Sequence, residues 1–418
     1  MITKSKSLQS IKVITVAVLS FLNLILVSPP AFAHPDEGGD SHIIPHEIGK
    51  LNITGGITSI IQGASGVADI NDGDVVDYTY TLDLNFEAAV STTGKVIIAL
   101  EAGDGDGVNV IGGVQPFFSV PNYDANITES GGIVTPSVSQ AYFEGSFFDG
   151  MLGLKAGKLD VHSCHDDNAY ANDETDQFIS GLFSRYAGAI FPELDSYYAP
   201  GMILSISPAD MLDVTLAVAN GVNSGFEDIT EDPYGAGQVN VKPNIFGKEG
   251  NYRLYVIYDT RDNYIDIGNP DKIRKNTAYG ISLDQEIIDD IGIFARYGVQ
   301  DSNVEFWTDD GDGYVQTDEI SYPVKAAISG GVSLGGSLWG RGDDLVGLAY
   351  GVLFNNEDST YFDAVADSEK ETHLEVYYKF GFSDHFTLTP DLQLVTNAGG
   401  DADTDPITVY GVRAQMNF

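Results

Sequence analysis

The chain has 418 residues, 61 acidic against 21 basic, a formal net charge of -40 and one cysteine. So acidic a chain excludes nucleic acid as a partner, because binding the phosphate backbone demands basic surface. The single cysteine, Cys164, closes no internal disulfide, so the stability of the fold rests on something else.

At the N-terminus Lys4, Lys6 and Lys12 lead an apolar stretch from Val13 to Val27, and Ala31-Phe32-Ala33 supplies the small residues of a cleavage site. That is the three-part layout of a secretory signal, with an apolar stretch too short for a comfortable membrane span. Residues 1–33 are therefore expected to be a cleaved signal peptide, with His34 as the first mature residue. Residues 34–50 are expected to form an N-terminal periplasmic segment, and 51–418 a single barrel domain. No second long apolar run follows, which excludes a helical membrane protein.

From residue 51 onward the pattern alternates with period two, the mark of strands whose two faces meet different media. Tyr78, Tyr80, Leu82, Leu84 and Phe86 alternate with Thr79, Thr81, Asp83, Asn85 and Glu87. Leu374, Val376, Tyr378 and Phe380 alternate with His373, Glu375, Tyr377 and Lys379. Phe386, Leu388, Leu392 and Leu394 alternate with Thr387, Thr389, Asp391 and Gln393, and Tyr410, Val412, Ala414, Met416 and Phe418 with Gly411, Arg413, Gln415 and Asn417. Sixteen strands are predicted, over 51–62, 77–90, 94–102, 137–146, 151–159, 201–207, 211–219, 238–247, 251–259, 279–286, 291–299, 326–335, 345–353, 371–380, 386–395 and 408–418.

A soluble sandwich would alternate in the same way, and the connections distinguish the two. Short turns are expected near Thr92, Asp149-Gly150, Pro208-Ala209-Asp210, Lys248-Glu249, Asp289-Asp290 and Asp384-His385, with long acidic loops between them. Tight turns on one side and long loops on the other are the asymmetry of outer-membrane β-barrels. Strands in lipid must satisfy every backbone N–H and C=O through their neighbours, which only a closed barrel allows. The predicted fold class is an all-β transmembrane antiparallel barrel of about 16 strands. Tyr78, Tyr80, Phe380, Phe386 and Tyr410 sit near strand ends, as interfacial girdles require, and the sequence ends on an outward-facing Phe418 in register with a full strand.

The alternation assigns Lys155, Arg253, Arg296 and Arg413 to the lumen, together with Asp83, Glu87, Glu101, Asp284, Glu286, Glu375 and Asp391. Facing charges of opposite sign either set up a transverse field across the bore or pair between neighbouring strands and brace the wall. The long connection Asp160 to Pro200 is the candidate constriction loop, expected to fold into the barrel. It carries Phe178, Phe183 and Phe191 and one basic residue, Arg185, among many acids. His162, Cys164 and His165 lie close enough to share a soft metal, as do His34, His42 and His46. Thr308 to Glu319 has calcium-loop spacing. Asp310, Asp312 and Tyr314 fall at positions three, five and seven, Gly313 at the sharp turn, and Glu319 at the bidentate twelfth position. Thr308 stands where the usual first Asp would be, so a merely acidic loop remains the alternative to a Ca²⁺ site. The chain contains no nucleophile elbow, phosphate-cradling loop or zinc-protease motif, and no enzyme activity is expected.

Several stretches resemble the carbohydrate-selective porin (OprB-type) family. They are Asn251-Tyr-Arg-Leu-Tyr-Val-Ile-Tyr-Asp259, Tyr279-Gly-Ile-Ser-Leu-Asp-Gln-Glu286, Ile293-Phe-Ala-Arg-Tyr-Gly298 and Trp339-Gly-Arg-Gly-Asp-Asp-Leu-Val-Gly-Leu-Ala349. Glu375-Val-Tyr-Tyr378, Leu388-Thr-Pro-Asp-Leu-Gln393, Ala141-Tyr-Phe-Glu144, Gly157-Lys-Leu-Asp160 and Asn172-Asp-Glu-Thr-Asp-Gln-Phe178 extend the likeness over most of the chain. The chain departs from the family's pattern at His162-Ser-Cys-His-Asp166, at the histidine-containing start and at Asp309-Asp-Gly-Asp-Gly313. The resemblance implies a sixteen-stranded barrel in the outer-membrane lipid, a homotrimer, passing small hydrophilic solutes with carbohydrates among them. Three alternatives stay open: a general cation-preferring diffusion porin without a sugar site, a barrel enzyme, and an acidic Ca-bridged surface or adhesion barrel.

Overall fold

A computed structural model describes residues 51–67, 73–112, 116–128, 136–184, 198–221, 232–245, 247–306, 308–309, 314–315, 324–363 and 365–418. All of them fall within one compact unit, Ile44–Phe418. The predicted signal peptide and N-terminal segment, His34, His42 and His46 included, lie outside the described residues.

Sixteen long strands make up the barrel. In chain order they are β1 (Leu51–Ser65), β2 (Val75–Ala89), β3 (Gly94–Asp104), β4 (Ser137–Phe147), β5 (Leu152–Asp160), β6 (Tyr198–Ala209), β7 (Leu212–Asn220) and β8 (Pro233–Val241). The second half comprises β9 (Lys248–Asp266), β10 (Asn269–Ile288), β11 (Ile291–Gln300), β12 (Val324–Gly335), β13 (Leu345–Asn355), β14 (Glu371–Ser383), β15 (Phe386–Thr396) and β16 (Ile407–Asn417). Each pairs antiparallel with its sequence neighbour, and β16 pairs back onto β1 from Gly56↔Asn417 to Ser65↔Thr408. That closing ladder leaves the sheet without an edge. At the seam, the N–H of Gly55 donates to the carbonyl of Phe418 at 3.1 Å, and the N–H of Phe418 to that of Gly55 at 3.0 Å. A Cβ on Gly55 would lie 2.6 Å from Cζ of Phe418, so only glycine leaves room for that ring.

The wall is inverted relative to a water-soluble protein. Leu254 and Tyr279 are 59% and 54% exposed, whereas Arg296 and Arg413 are 2% and 0% exposed. Apolar side chains turn outward and polar ones inward, the arrangement that lipid outside and water inside would select. Along the turn end, Trp339, Tyr378, Phe380, Phe382 and Phe386 follow one another with ring centroids 4.3–6.4 Å apart, an aromatic girdle at that rim.

Two parts of the predicted strand set are corrected. The eighth strand is Pro233–Val241 rather than 238–247; Asn244–Ile245 is a separate two-residue strand paired with Lys248–Glu249, which opens β9 instead of forming the turn. Ile245 continues the phase of Val239 and Val241 beyond the β8 ladder, but Pro243 between them has no N–H to donate. Residues 260–278, expected as a loop, instead continue β9 and β10 outward as a hairpin turning at Ile267–Gly268. Asp266 holds it together by pairing with Arg274 at 2.9 Å, and Arg274 also reaches Asp301 at 3.1 Å. Pro208 and Ala209 belong to β6, with a register shift after Ile206, so that turn is Asp210–Met211. The turns at Asp149-Gly150, Asp289-Asp290 and Asp384-His385 fall where expected; Asp149, Gly150 and Asp290 take positive φ, as tight hairpins require.

Candidate constriction and pore lining

Long connections emerge at the end opposite the turns, and two of them turn back inside. Residues 161–184, between β5 and β6, begin with a turn capped by Asp160, whose Oδ1 accepts the N–H of His162 at 2.8 Å. From there the segment meets inward-facing side chains of one strand after another. Gln238 Oε1 on β8 accepts the N–H of Asp166 at 2.7 Å, and Asn168 Nδ2 donates to Ser282 Oγ on β10 at 3.1 Å. Arg296 on β11 donates through Nη1 to the carbonyl of Phe183 at 2.6 Å, and its Nε lies 2.8 Å from Asp166. Glu375 on β14 accepts the N–H groups of Ile179 and Ser180 at 2.7 and 3.0 Å. Arg413 on β16 donates to the carbonyls of Glu174 and Gln177 at 2.6 and 2.9 Å, and Lys379 Nζ reaches Asp176 Oδ2 at 2.7 Å. A segment that touches the inner faces of β8, β10, β11, β14 and β16 has crossed the lumen.

Apolar packing completes the anchorage. Phe178, Leu182 and Phe183 are fully buried against Phe294, Leu353 and Tyr377, with the Phe178 and Tyr377 rings 5.0 Å apart edge to face. Gly351 on β13 leaves the space that Leu182 occupies; a Cβ there would lie 2.6 Å from Leu182 Cδ2.

Residues 116–124, part of the connection between β3 and β4, form a second inward segment that the sequence reading did not single out. Glu371 on β14 accepts the N–H groups of Phe118 and Ser119 at 2.9 and 3.0 Å. Gln393 Nε2 donates to the carbonyl of Pro121 at 2.9 Å, and Thr81 Oγ1 donates to Asp124 Oδ1 at 3.0 Å. The two segments interlock: the N–H of Tyr123 donates to the carbonyl of Ile179 at 2.9 Å, and that of Gly181 to Val120 at 3.0 Å. Two signals in the sequence point here. Phe117, Phe118 and Val120, bracketed by Pro116 and Pro121, are an apolar island in a polar loop, and Glu371, His373 and Glu375 share the inward face of one strand.

Among the described residues, cavities remain between segments and wall, and two of them are strongly polar. One, of about 470 Å³ beneath residues 163–169, is lined by Lys155, Asp213, Asn240, Lys242, Glu249 and Arg253. The other, of about 210 Å³, lies between the two segments and β2–β6, lined by Asp83, Glu101, Asp124, Asp160, Glu174 and Tyr198. Burial, with the Glu174 charge next in weight, pushes the Asp124 carboxyl up to about 8.

The predicted lining residues thus divide. Lys155, placed 5.7 Å from the Tyr142 ring centroid, and Arg253, paired with Asp284, border the larger cavity. Asp83 and Glu101 border the smaller, where Glu101 accepts the Tyr198 hydroxyl at 2.6 Å. Glu87 pairs with Lys95 at 2.9 Å and Glu286 with Lys248 at 3.1 Å. Arg296, Arg413, Glu375 and Asp391 face inward but are covered, at 5% exposure or less. The first three bind loop backbone instead of fronting water, since a fully buried charge must be paired. Arg185 lies outside the described residues.

The structure does not gather His162, Cys164 and His165 into a metal site, and among the described residues no three metal-binding side chains converge. The His162 ring packs on Tyr234 and that of His165 on Tyr255, at 5.5 and 5.4 Å. Burial pushes the Cys164 thiol up to about 12, which disfavours the thiolate a metal requires. Thr308–Asp309 pairs with Tyr314–Val315 as a small hairpin, while Asp310, Asp312 and Glu319 lie outside the described residues.

Comparison with known proteins agrees with this architecture. The profile of the "Carbohydrate-selective porin, OprB family" matches residues 68–418. A structure of OprB from Pseudomonas putida solved at high pH superposes with a TM-score of 0.68 at 17% identity, covering 88% of this chain and 94% of that one. An anion-selective porin from Comamonas acidovorans superposes with a TM-score of 0.51 at 14% identity, covering 88% and 99%. Porin AaxA of Chlamydia abortus is 24% identical over 289 residues, which is 68% of this chain and 58% of the relative, so the match spans under two thirds of that relative's length.

Proposed function

The chain belongs to the carbohydrate-selective porin (OprB) family, an outer-membrane β-barrel family, and from that premise we propose that it is a passive diffusion channel for small hydrophilic solutes, carbohydrates among them. One observation supports this above the rest. Two interlocked segments cross a closed, outward-apolar barrel and leave polar cavities beside them instead of a solid core. Water-filled passages beside such segments would admit solutes by size, and the amide and charged groups along them offer hydrogen bonds to hydroxyl-rich molecules. We read the loop from Asp160 to Pro200 as the constriction, with Lys155, Arg253, Asp83 and Glu101 fronting the passage and Arg296, Arg413 and Glu375 fixing the loop. The assembly read here is a homotrimer, and the chemistry is transport rather than catalysis.

A second reading, a general cation-preferring porin, is favoured by the Asp83, Glu101, Asp124, Asp160 and Glu174 lining of the smaller cavity. Liposome swelling separates the two. With a graded series of neutral sugars and matched charged solutes, the first reading predicts entry of the sugars at rates falling with size. Sugars excluded while small cations pass would support the second reading, and no swelling with any solute would end both.

A further inference from the structure

Glu371 stands at the loop end of β14, wholly buried, and both of its carboxylate oxygens are saturated. Oε1 accepts the N–H of Ser119 at 3.0 Å and lies 2.8 Å from His373 Nε2. Oε2 accepts the N–H groups of Phe118 at 2.9 Å and Gly399 at 2.8 Å. One side chain thus joins the second inward segment, the β15–β16 connection and its own strand. His373 carries the connection further, because its Nδ1 lies 3.3 Å from the hydroxyl of Ser180, whose N–H is held by Glu375. Charge-assisted bonds of this kind are roughly twice as strong as neutral ones.

Downstream of that clamp, the segment ends at Asp124 on the wall of the 210 Å³ cavity, facing Glu174 of the constriction loop. Both segments therefore bound the same passage. We propose that Glu371 is a positioning residue for permeation, fixing residues 117–124 as the second wall of a two-segment constriction without touching solute itself. This rests on the diffusion-channel reading, and the measurements below separate the two.

Glu371→Gln keeps the shape but puts an NH₂ group in place of one acceptor oxygen, so at least one of the N–H groups of Phe118, Ser119 and Gly399 loses its acceptor. In planar bilayers the single-channel conductance should rise and the sugar size limit in liposome swelling should shift upward, while the barrel stays folded by heat-modifiable gel mobility. Linking the segments by a disulfide, with Val120→Cys and Gly181→Cys in a Cys164→Ser background, should return the conductance of Glu371→Gln to the parent value when oxidised and release it when reduced. At Gly181 a Cβ would lie 3.5 Å from Val120 Cγ2, within reach of a bridge, with the Tyr123 ring and the Ser119 hydroxyl at 3.1 and 3.2 Å giving way by a few tenths of an ångström. Conductance unchanged in a folded Glu371→Gln barrel, with only its thermal stability lowered, would overturn the assignment and reduce Glu371 to a structural brace.

Should Glu371→Gln not assemble, Asp124→Asn tests the same wall. At pH 9.5 it should lower the cation preference measured as reversal potential, and an identical reversal potential would overturn the proposal. A parent barrel that gives no conductance steps at all would instead remove the channel reading.

Discussion

Asp124 illustrates how a loop buried in a pore shapes single residues. Its carboxyl holds a proton to about pH 8 in the folded protein, because burial, Glu174 and Asp83 outweigh the Thr81 hydroxyl and the Arg413 charge. An unfolded aspartate gives up its proton near ~3.9. Between those limits the folded state binds more protons, so this group's contribution to stability is fully present below about pH 4 and is lost progressively toward pH 8. Asp124→Asn, which can still accept from Thr81, should therefore match the parent in thermal unfolding at pH 4 and exceed it at pH 9; a variant less stable than the parent at pH 9 would contradict the sign. Asp344, in the turn between β12 and β13, has the opposite environment. Arg341, the Tyr378 hydroxyl and the N–H of Gly381 hold its carboxyl well below the usual range, so that turn keeps its anchor until strongly acid pH. On the strands, which way a charge faced was legible in the sequence; what it would touch was not, and neither Asp124 nor Asp344 stood out. Arg296 and Arg413 sit on the inward phase as read, yet their partners, backbone carbonyls and for Arg296 also the Asp166 carboxylate, lie more than a hundred residues away.

Among the elements, strands were legible where lipid meets their outer face and illegible where it does not. The alternation in β2, β14, β15 and β16 is sharp because each outward residue must be apolar. In the hairpin beyond Asp259 and Thr277 polar residues outnumber apolar ones, strict alternation is lost across a register shift, and the sequence looks like a loop although the ladder continues. The five residues that open β8, Pro233 to Gly237, lack contrast for a different reason: two of their three outward positions, Gly235 and Gly237, carry no side chain to signal lipid. The closing seam depends on another missing side chain. Gly55→Leu should collide with the Phe418 ring and with the backbone of β2, where a Cβ would lie 2.6 Å from the Asp83 carbonyl. Overpacking of that kind costs typically about 1–3 kcal/mol. The heat-modification temperature of the barrel should fall accordingly, and an unchanged value would show that the ring is not held at the seam.

For the molecule as a whole, closure decides the chemistry. A hydrogen-bonded cylinder leaves no unpaired edge for lipid to meet, so its outside can be apolar and its inside wet. With the bore so open to polar groups, the proposed reading assigns selectivity to what partly fills it, the two segments between β3 and β4 and between β5 and β6. That one long loop would fold inward was an expectation from its length and aromatics. That a second would interlock with it was hidden, because the bonds joining them, Tyr123 to Ile179 and Gly181 to Val120, run through backbone and leave no trace in side-chain identity. The most direct test is single-channel recording of the purified barrel in planar bilayers, with and without residues Asp173 to Ala189. The account predicts discrete conductance steps that grow when the segment is removed. A parent without steps, or steps of the same size after the deletion, would contradict it.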